Sequence, residues 1–256
     1  MSTFDLSAAY YDLLYEDKRY DDEAAFVARL IRDHAPRARS VLELGCGTGK
    51  HALALARQGF SLSGVDLSPR MVDRANARLS DASLPPGLKV NFETGDVRTA
   101  RFDRTFDAVV SLFHVISYQV TNSDLIETIR TASSHLAAGG VFVFDCWYGP
   151  AVLTTRPEVR VKRCENSQLR VFRVAEPVMH HDRNVVDVQY TVWIEQPPSG
   201  AITRLSEVHP MRYLFYPEVE MMLAAGGLKI RHACEWMSGK VLDFSTWSAT
   251  FVSVKQ

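Results

Sequence analysis

The chain has 256 residues, and its 29 basic and 30 acidic side chains leave a formal net charge of -1, so no excess of positive charge points to nucleic-acid or membrane binding. Apolar residues make up 46% and charged residues 23% of the chain, which excludes a disordered or fibrous protein. No run approaches about 18 apolar residues, and the N-terminus lacks the pattern of a signal peptide, so we expect a cytoplasmic protein that acts on a small molecule.

The first 36 residues predict two helices. Apolar positions recur at helical spacing between residues 6 and 35, and Phe26, Val27, Leu30 and Ile31 form one face before the chain breaks at Pro36.

Short apolar runs then alternate with segments of helical spacing. The runs predict strands at residues 40–44, 62–65, 89–92, 106–112 and 140–145. The segments between them predict helices near residues 50–58, 69–79 and 125–136. Such alternation is typical of βαβ units with right-handed crossovers in a parallel sheet.

The pattern changes after residue 151. Four β-rich segments without helical spacing extend to about residue 216, separated by turn signals such as HHDRN at residues 180–184 and PPSG at residues 197–200. Helical spacing returns from Pro217 to Ala225 and ends at Gly226-Gly227. Two further strands are predicted at residues 228–235 and 246–255.

These elements predict an α/β fold. We expect a doubly wound, Rossmann-like sheet of seven strands, mostly parallel with the last strand antiparallel, and an antiparallel β insertion after the fifth strand. Residues 1–150 and 216–256 would form the core, with residues 1–36 as its N-terminal helices, and residues 151–215 would form the insertion.

Four cysteines are scattered without a CxxC pair: Cys46, Cys146, Cys164 and Cys234. This spacing is typical of reduced thiols and contains no zinc-binding pattern. We therefore expect no metal site.

A glycine-rich turn, within VLELGCGTG at residues 41–49, connects the first strand to the next helix. A turn of this kind lets the backbone approach a ligand closely and aims helix N–H groups at an anion. Gly45, Gly47 and Gly49 are separated by one residue each, which departs from the GxGxxG fingerprint of dinucleotide-binding proteins.

Acidic residues accompany the ends of the first three strands. Glu43 lies two residues before the first glycine, where a carboxylate suits a ligand ammonium and opposes a pyrophosphate. Asp66 ends the second strand, about 20 residues past the glycines, where an acid can accept hydrogen bonds from ribose hydroxyls. Asp96, after the third strand, could accept one from an adenine amino group. S-adenosylmethionine (SAM), whose methionyl tail carries an ammonium and no phosphate, fits this set.

Five motifs follow one another between residues 41 and 145: ELGCGTG, GVDLSPRM, GD, FDAVVSLFHVISY and LAAGGVFVFD. Together they resemble the ordered motifs of class I SAM-dependent methyltransferases. The N-terminal AAYYDLLYEDKRYDDEAAF and the β-rich segment before LFYPEVEMMLAAGGL are similar to the subgroup of dTDP-amino-sugar N,N-dimethyltransferases and related polysaccharide-cluster enzymes. The resemblance implies SAM as cofactor, N-terminal helices over it, an insertion that forms part of the acceptor site, and often a homodimer.

The same resemblance implies several site residues. Tyr11 and Tyr20 would lie near the methionyl end of SAM, and Glu23 near the acceptor. Four apolar residues within or beside the motifs are expected along the cofactor: Leu67, Met71, Val97 and Leu112.

His114 and Tyr118 are the candidate catalytic residues. A sugar hydroxyl needs a general base, whereas an amine near its own pKa needs little assistance. His114 lies just past the fourth strand, and active groups of open α/β sheets gather beyond the carboxyl ends of the strands. Tyr118 stands where the amino-sugar enzymes carry a histidine, so their mechanism does not transfer directly.

Four further residues are candidates for binding the acceptor. Trp147 and Tyr148 directly follow the fifth strand, and His209 and Arg212 could reach the same crevice from the insertion. The guanidinium of Arg212 would suit a phosphate or carboxylate.

Each of these side chains also has a purely structural interpretation. Hydrogen bonding at a strand end, capping of a turn or solvation of a helix face would explain His114, Tyr118, Asp96 and Glu23. Packing alone would explain the others: Tyr11, Tyr20, Trp147 and Arg212.

We therefore predict a SAM-dependent methyltransferase acting on an amine or hydroxyl of a small molecule, a nucleotide-linked or polysaccharide-precursor sugar. Two other functions stay open. One is a SAM-binding regulatory protein without turnover. The other is an NAD-dependent dehydrogenase, which the glycine spacing and Glu43 both oppose.

Overall fold

A computed structural model describes residues 10–197 and 199–255 of the chain. Residues 10–14 are helical, and the start of the first predicted helix lies outside the described residues. The first elements of the core are α1 (Tyr20–His34), β1 (Ser40–Leu44), α2 (Lys50–Arg57), β2 (Ser61–Asp66), α3 (Pro69–Ser80), β3 (Val90–Thr94), β4 (Phe106–Ser111) and α4 (Asn122–His135). Their boundaries lie within a few residues of the predicted ones.

Local capping fixes where two of these helices begin. The Ser68 hydroxyl accepts a hydrogen bond from the Met71 backbone N–H at 3.4 Å, and Pro69 occupies the first turn of α3. The Thr121 hydroxyl accepts one from the Asp124 N–H at 3.0 Å at the start of α4. No helix in the described part of the chain is long and apolar enough to span a membrane.

The remaining elements are β5 (Leu136–Tyr148), α5 (Gly149–Thr154), β6 (Arg160–Glu165), β7 (Arg170–His180), β8 (Val185–Gln196), β9 (Ala201–Leu214), α6 (Tyr216–Ala225), β10 (Leu228–Glu235) and β11 (Ser248–Lys255). The core sheet has the strand order β3-β2-β1-β4-β5-β11-β10. The strands β1 to β5 pair in parallel, and β11 is antiparallel to both β5 and β10. The predicted fold, a mostly parallel sheet with an antiparallel last strand, is confirmed.

Apolar side chains cover both faces of the core sheet, as expected for parallel strands flanked by helices. Alternate residues of β5 contribute to opposite layers. Val141 and Val143 pack with the layer that contains α1 and α2, whereas Phe142 and Phe144 pack with the layer that contains α4 and α6.

The fifth strand is longer than predicted, and this extension joins the two sheets. We predicted a strand at residues 140–145, but β5 continues to Tyr148. Its last residues pair in parallel with β9, Trp147 opposite Tyr213 and Tyr148 opposite Leu214. The short helix α5, which the sequence pattern did not predict, follows at once.

The insertion strands β6, β7, β8 and β9 form an antiparallel sheet in chain order. One face of this sheet packs on the N-terminal helical residues, where Tyr10 and Leu14 contact Val171 and Val192. These residues, 10–14, are called the N-terminal segment, and they lie between the insertion and the carboxyl ends of the core strands.

Candidate functional site

A cavity of about 440 Å³ opens between the carboxyl ends of the core strands, the N-terminal segment and one face of the insertion. Twelve of the predicted site residues border it: Tyr11, Tyr20, Gly45, Gly47, Asp66, Leu67, Met71, Asp96, Val97, Leu112, His114 and Tyr118. Trp147 and His209, predicted to bind the acceptor, border it as well. One continuous cavity thus brings together residues from seven separate parts of the chain.

The three glycines of the loop play different structural parts. All have positive φ, +82° for Gly45, +52° for Gly47 and +76° for Gly49, which L side chains rarely adopt. A Cβ at Gly47 would meet nothing within 4 Å, so the backbone there faces open space. A Cβ at Gly49 would lie 2.9 Å from the Phe92 ring and 3.0 Å from Ala75. Gly49 therefore permits close packing and does not border the cavity.

Asp66 holds the loop and the start of the next helix. Its Oδ2 accepts a hydrogen bond from the Gly47 N–H at 2.8 Å, and its Oδ1 accepts one from the Ser68 N–H at 2.9 Å. Each carboxylate oxygen has a second acceptor lone pair. The side chain is thereby fixed at the rim of the cavity with capacity for further hydrogen bonds.

Asp96 is bound by a neighbouring arginine. Arg98 donates from Nη2 to its Oδ2 at 2.6 Å and from Nε to its Oδ1 at 2.9 Å, and it also binds Asp124 at 2.6 Å. The hydrogen bond from Arg98 holds the pKa of Asp96 below its usual range. Asp96 lies on the cavity wall as part of this ion pair.

Glu43 lies behind the glycine loop and does not border the cavity. Its side chain is buried, and its Oε2 has no hydrogen-bond partner among the described residues. Burial, together with the negative charge of Asp66, raises the pKa of Glu43 to about 8. The carboxyl group is therefore protonated at neutral pH, and its predicted role beside a ligand ammonium stays a prediction.

The N-terminal segment is anchored on the glycine loop through Asp12. Its carboxylate lies 3.0 Å from Nζ of Lys50 and 2.8 Å from Nη2 of Arg78, and it accepts a 3.2 Å hydrogen bond from the Thr48 hydroxyl. This anchoring holds Tyr11 over the cavity. Burial raises the pKa of Tyr11 well above its usual value, so the phenol stays neutral.

Glu23 lies away from the cavity. Its carboxylate accepts hydrogen bonds from Nζ of Lys18 at 2.5 Å and contacts Nε2 of His51 at 2.6 Å. The Tyr20 ring packs on the same histidine with 4.8 Å between ring centres. Glu23 thus binds Lys18 and His51, and the structure does not bring it to the acceptor part of the cavity.

His114 is held by a buried aspartate of the neighbouring strand. Its backbone has φ +64°, a value uncommon for residues other than glycine, and its N–H donates to Asp145 at 3.2 Å. Its Nδ1 lies 2.7 Å from Oδ2 of Asp145, a close contact that is not aligned as a hydrogen bond. Although burial opposes it, His114 holds the pKa of Asp145 below its usual range. With Nδ1 held by Asp145, Nε2 is the ring nitrogen left for acid–base chemistry.

Tyr118 belongs to a polar network that reaches the insertion. Its hydroxyl lies 2.9 Å from Nδ1 of His209, whose Nε2 lies 3.2 Å from Oε2 of Glu207. The Tyr10 hydroxyl donates to the other oxygen of that carboxylate at 3.2 Å. Burial raises the pKa of Tyr118 well above its usual value, so this phenol stays neutral.

Besides Glu23, two more of the predicted acceptor residues do not border the cavity. Tyr148 packs against the apolar layer beneath the sheet. The Arg212 guanidinium is buried, donates to Oδ1 of Asn122 at 2.6 Å and forms an ion pair with Glu218. Arg212 therefore ties β9 to α4 and α6.

The sequence reasoning missed Glu207 and Arg173, both of which border the cavity. In the insertion register, Tyr190 is opposite both Ala175 and Glu207, and Val192 is opposite Arg173, so these residues share one face. The alternation of polar and apolar residues along the predicted strands was the available signal, because every second residue of a strand points to the same side.

A family model described as a methyltransferase domain matches residues 41–140. The chain is 31% identical over 237 residues to a dTDP-3-amino-3,4,6-trideoxy-alpha-D-glucopyranose N,N-dimethyltransferase of Streptomyces venezuelae, covering 92% of this chain and 95% of that protein.

Two solved structures extend the likeness. The crystal structure of Streptomyces venezuelae DesVI is 29% identical, has a TM-score of 0.79 and covers 97% of this chain and 98% of that one. The structure of SAM-bound CalS10, an amino pentose methyltransferase from Micromonospora echinaspora, is 28% identical, has a TM-score of 0.75 and covers 98% and 96%. The likeness therefore extends through the N-terminal segment and the insertion.

Proposed function

Because the chain belongs to the class I SAM-dependent methyltransferases, in the family of the dTDP-amino-sugar N,N-dimethyltransferases, we propose that it methylates an amine of a nucleotide-linked amino sugar. It is an enzyme, and its cofactor is SAM. The alternatives of a nicotinamide-dependent dehydrogenase and of a binding protein without turnover are thereby set aside.

The residues at the carboxyl ends of the first strands fit SAM. The backbone at Gly47 borders open space, Asp66 has acceptor capacity for ribose hydroxyls, and Met71 and Leu112 provide apolar walls for a base. SAM supplies a methyl group on a sulfonium, which is already a good leaving group. The protein must therefore hold the acceptor in line with that methyl group and take up the proton that the acceptor loses. Such orientation can lower the activation barrier of the transfer by roughly 7–11 kcal/mol.

The continuity of the cavity from the glycine loop to the insertion carries the proposal. The same cavity is bordered by Asp66 and by Tyr190 and Glu207 of the insertion, so an acceptor bound against the insertion shares the cavity with the cofactor residues. His114 and Tyr118 border this cavity as well. Tyr118 can orient an acceptor through its hydroxyl, while Nε2 of His114 can take the proton that the acceptor loses.

Methylation of a sugar hydroxyl is the second candidate, and the contact between His114 and Asp145 favours it. A histidine whose Nδ1 is held by a buried carboxylate is arranged as a general base, and a hydroxyl needs such a base more than an amine does.

A panel of acceptors tests both candidates. The purified protein is incubated with SAM and with nucleotide-linked sugars that differ only in an amino or hydroxyl group at one carbon, and products are identified by mass spectrometry. We expect one or two methyl groups on the amino sugars. Transfer only to the hydroxyl sugars would favour the second candidate, and transfer to neither group would overturn the proposal. The expected homodimer is a separate prediction, which light scattering in solution would test.

A further inference from the structure

Arg173 projects from β7 into the acceptor part of the cavity. Its guanidinium lies 4.5 Å from the ring centre of Tyr190 and 6.0 Å from that of Tyr15. Its Nη1 donates a long hydrogen bond of 3.5 Å to the Tyr15 hydroxyl. Within the described ranges, this partly buried arginine forms no ion pair with a carboxylate.

The other cations that border the cavity are paired. Lys50 lies 3.0 Å from Asp12, and Arg98 binds two aspartates at 2.6 Å. Glu207, on the same face of the insertion as Arg173, accepts hydrogen bonds from the Tyr10 hydroxyl and from the His209 ring instead. The positive charge of Arg173 thus lies against aromatic faces and the Tyr15 hydroxyl.

A guanidinium cannot lose its proton in a protein, and a charge withdrawn from water needs a counter-charge. Its forked N–H groups match the oxygen atoms of a phosphate or a carboxylate. We propose that Arg173 binds an oxyanion carried by the acceptor. This inference rests on the proposed function, because it assigns the acceptor end of the cavity.

The oxyanion site is separated from the candidate base. The Tyr15 ring lies against the Phe113 ring with 5.1 Å between centres, and Phe113 lies against His114 with 5.7 Å. Successive contacts through the Tyr15 and Phe113 rings therefore connect Arg173 to His114. The acceptor carries its charged group at a distance from the atom that is methylated, as a sugar phosphate does when its reactive group is on another carbon.

Calorimetry on the protein saturated with S-adenosylhomocysteine tests the site. The probes are dTDP, inorganic pyrophosphate and glucuronate, and the variants are R173Q and R204Q. Arg204 is a matched control, because it is exposed on the same sheet and stacks on Trp193, away from the cavity. We expect the wild type and R204Q to bind dTDP equally. R173Q should bind it about 10- to 100-fold more weakly, the loss of a charge-assisted hydrogen bond.

The three probes distinguish the source of the oxyanion. Binding of dTDP or pyrophosphate through Arg173 supports a phosphate, and binding of glucuronate alone supports a carboxylate. Equal affinity of the wild type and R173Q for every probe, or no binding of any probe to the wild type, overturns the assignment.

The affinity for S-adenosylhomocysteine reports whether each variant folds. If R173Q loses it, R173M gives the answer, because methionine keeps much of the length of the side chain but removes its charge. Weaker dTDP binding by R173M with intact cofactor affinity supports the site, and unchanged dTDP binding overturns it. Methylation of a nucleotide-linked amino sugar with equal dTDP affinity in R173Q would overturn only the role of Arg173. Binding through Arg173 without methylation of any amino sugar would overturn only the proposed function.

Discussion

The hydroxyl of Tyr118 lies 2.9 Å from Nδ1 of His209, a residue 91 positions later in the chain. The His209 ring also contacts the Glu207 carboxylate, with 3.2 Å between its Nε2 and the carboxylate oxygen. A carboxylate only accepts hydrogen bonds, so in the neutral form of the His209 ring Nε2 carries the proton and Nδ1 accepts the proton of the phenol. In that form Tyr118 meets the acceptor as a hydrogen-bond acceptor, which suits an ammonium or a hydroxyl group.

Removing the Tyr118 hydroxyl should impair use of the acceptor. We expect Tyr118→Phe to lower kcat/KM for the acceptor by about 10- to 100-fold, the loss of a hydrogen bond to a charged group, and to leave SAM affinity unchanged. His209→Gln should lower kcat/KM in the same way. The fold loss in the double variant should be smaller than the product of the two single fold losses, because both residues act in one network. Tyr148→Phe is the matched control, and full activity of Tyr118→Phe would exclude the network from the reaction.

The pair formed by His114 and Asp145 separates amine from hydroxyl chemistry. If a hydroxyl is methylated, His114→Ala should lower kcat by about 10²–10⁴-fold, since a positioned general base is lost. Asp145→Asn should reduce kcat in the same direction, because the ring loses its buried anionic partner. SAM affinity, measured by calorimetry, should change much less than kcat. Unchanged turnover in His114→Ala would remove it as the base and favour an amine that enters unprotonated.

Asp66 should determine SAM affinity. Asp66→Ala removes the acceptor of the Gly47 and Ser68 N–H groups and the expected partner of the ribose hydroxyls, so SAM should bind at least about 100-fold more weakly. Asp107→Ala is a matched control, because Asp107 likewise accepts backbone N–H groups, from Arg39 and Ser40, but outside the cavity. Retained SAM affinity in Asp66→Ala would contradict the ribose assignment.

The sequence predicted the core and the cofactor end of the cavity because both depend on local patterns. The glycine turn, the acid that ends β2 and the apolar runs each span a few consecutive residues. The acceptor end depends on long-range pairing. Arg173, Tyr190 and Glu207 share a face only through the register of three antiparallel strands, and a shift of one residue would turn them outward.

Arg212 is a second residue whose surroundings could not be predicted from the sequence. Its residue type suits a phosphate, but neighbours from α4 and α6 surround it in the fold. Sequence spacing gave no sign of Asn122 or Glu218 beside it. Glu23 was expected near the acceptor from the family resemblance and Tyr148 from its position after the fifth strand, and both side chains lie elsewhere.

Glu43 should make the free energy of unfolding fall as pH rises. Its pKa of about 8 in the folded protein exceeds the ordinary value of 4.5, so the folded state binds more protons between these values. The contribution of Glu43 to the free energy of unfolding is then fully present below about pH 4.5 and falls as pH rises to about 8. Glu43→Gln mimics the protonated acid and should lose this dependence. Denaturant unfolding should find the variant more stable than the wild type by a few kcal/mol at pH 8 but not at pH 5, and equal pH slopes would contradict the assigned pKa.

Arg212→Ala tests whether this arginine supports the fold or the substrate. Its loss would leave Glu218 largely buried without its cation and Asn122 without a donor, so we expect the free energy of unfolding to fall by about 2–4 kcal/mol. The KM for the acceptor should stay unchanged under conditions where the variant is folded, because Arg212 does not border the cavity. Glu218→Ala should destabilise by a similar amount, and the double variant should lose less than the sum of the two, because the residues are partners. A raised KM with unchanged stability would instead return Arg212 to the acceptor site.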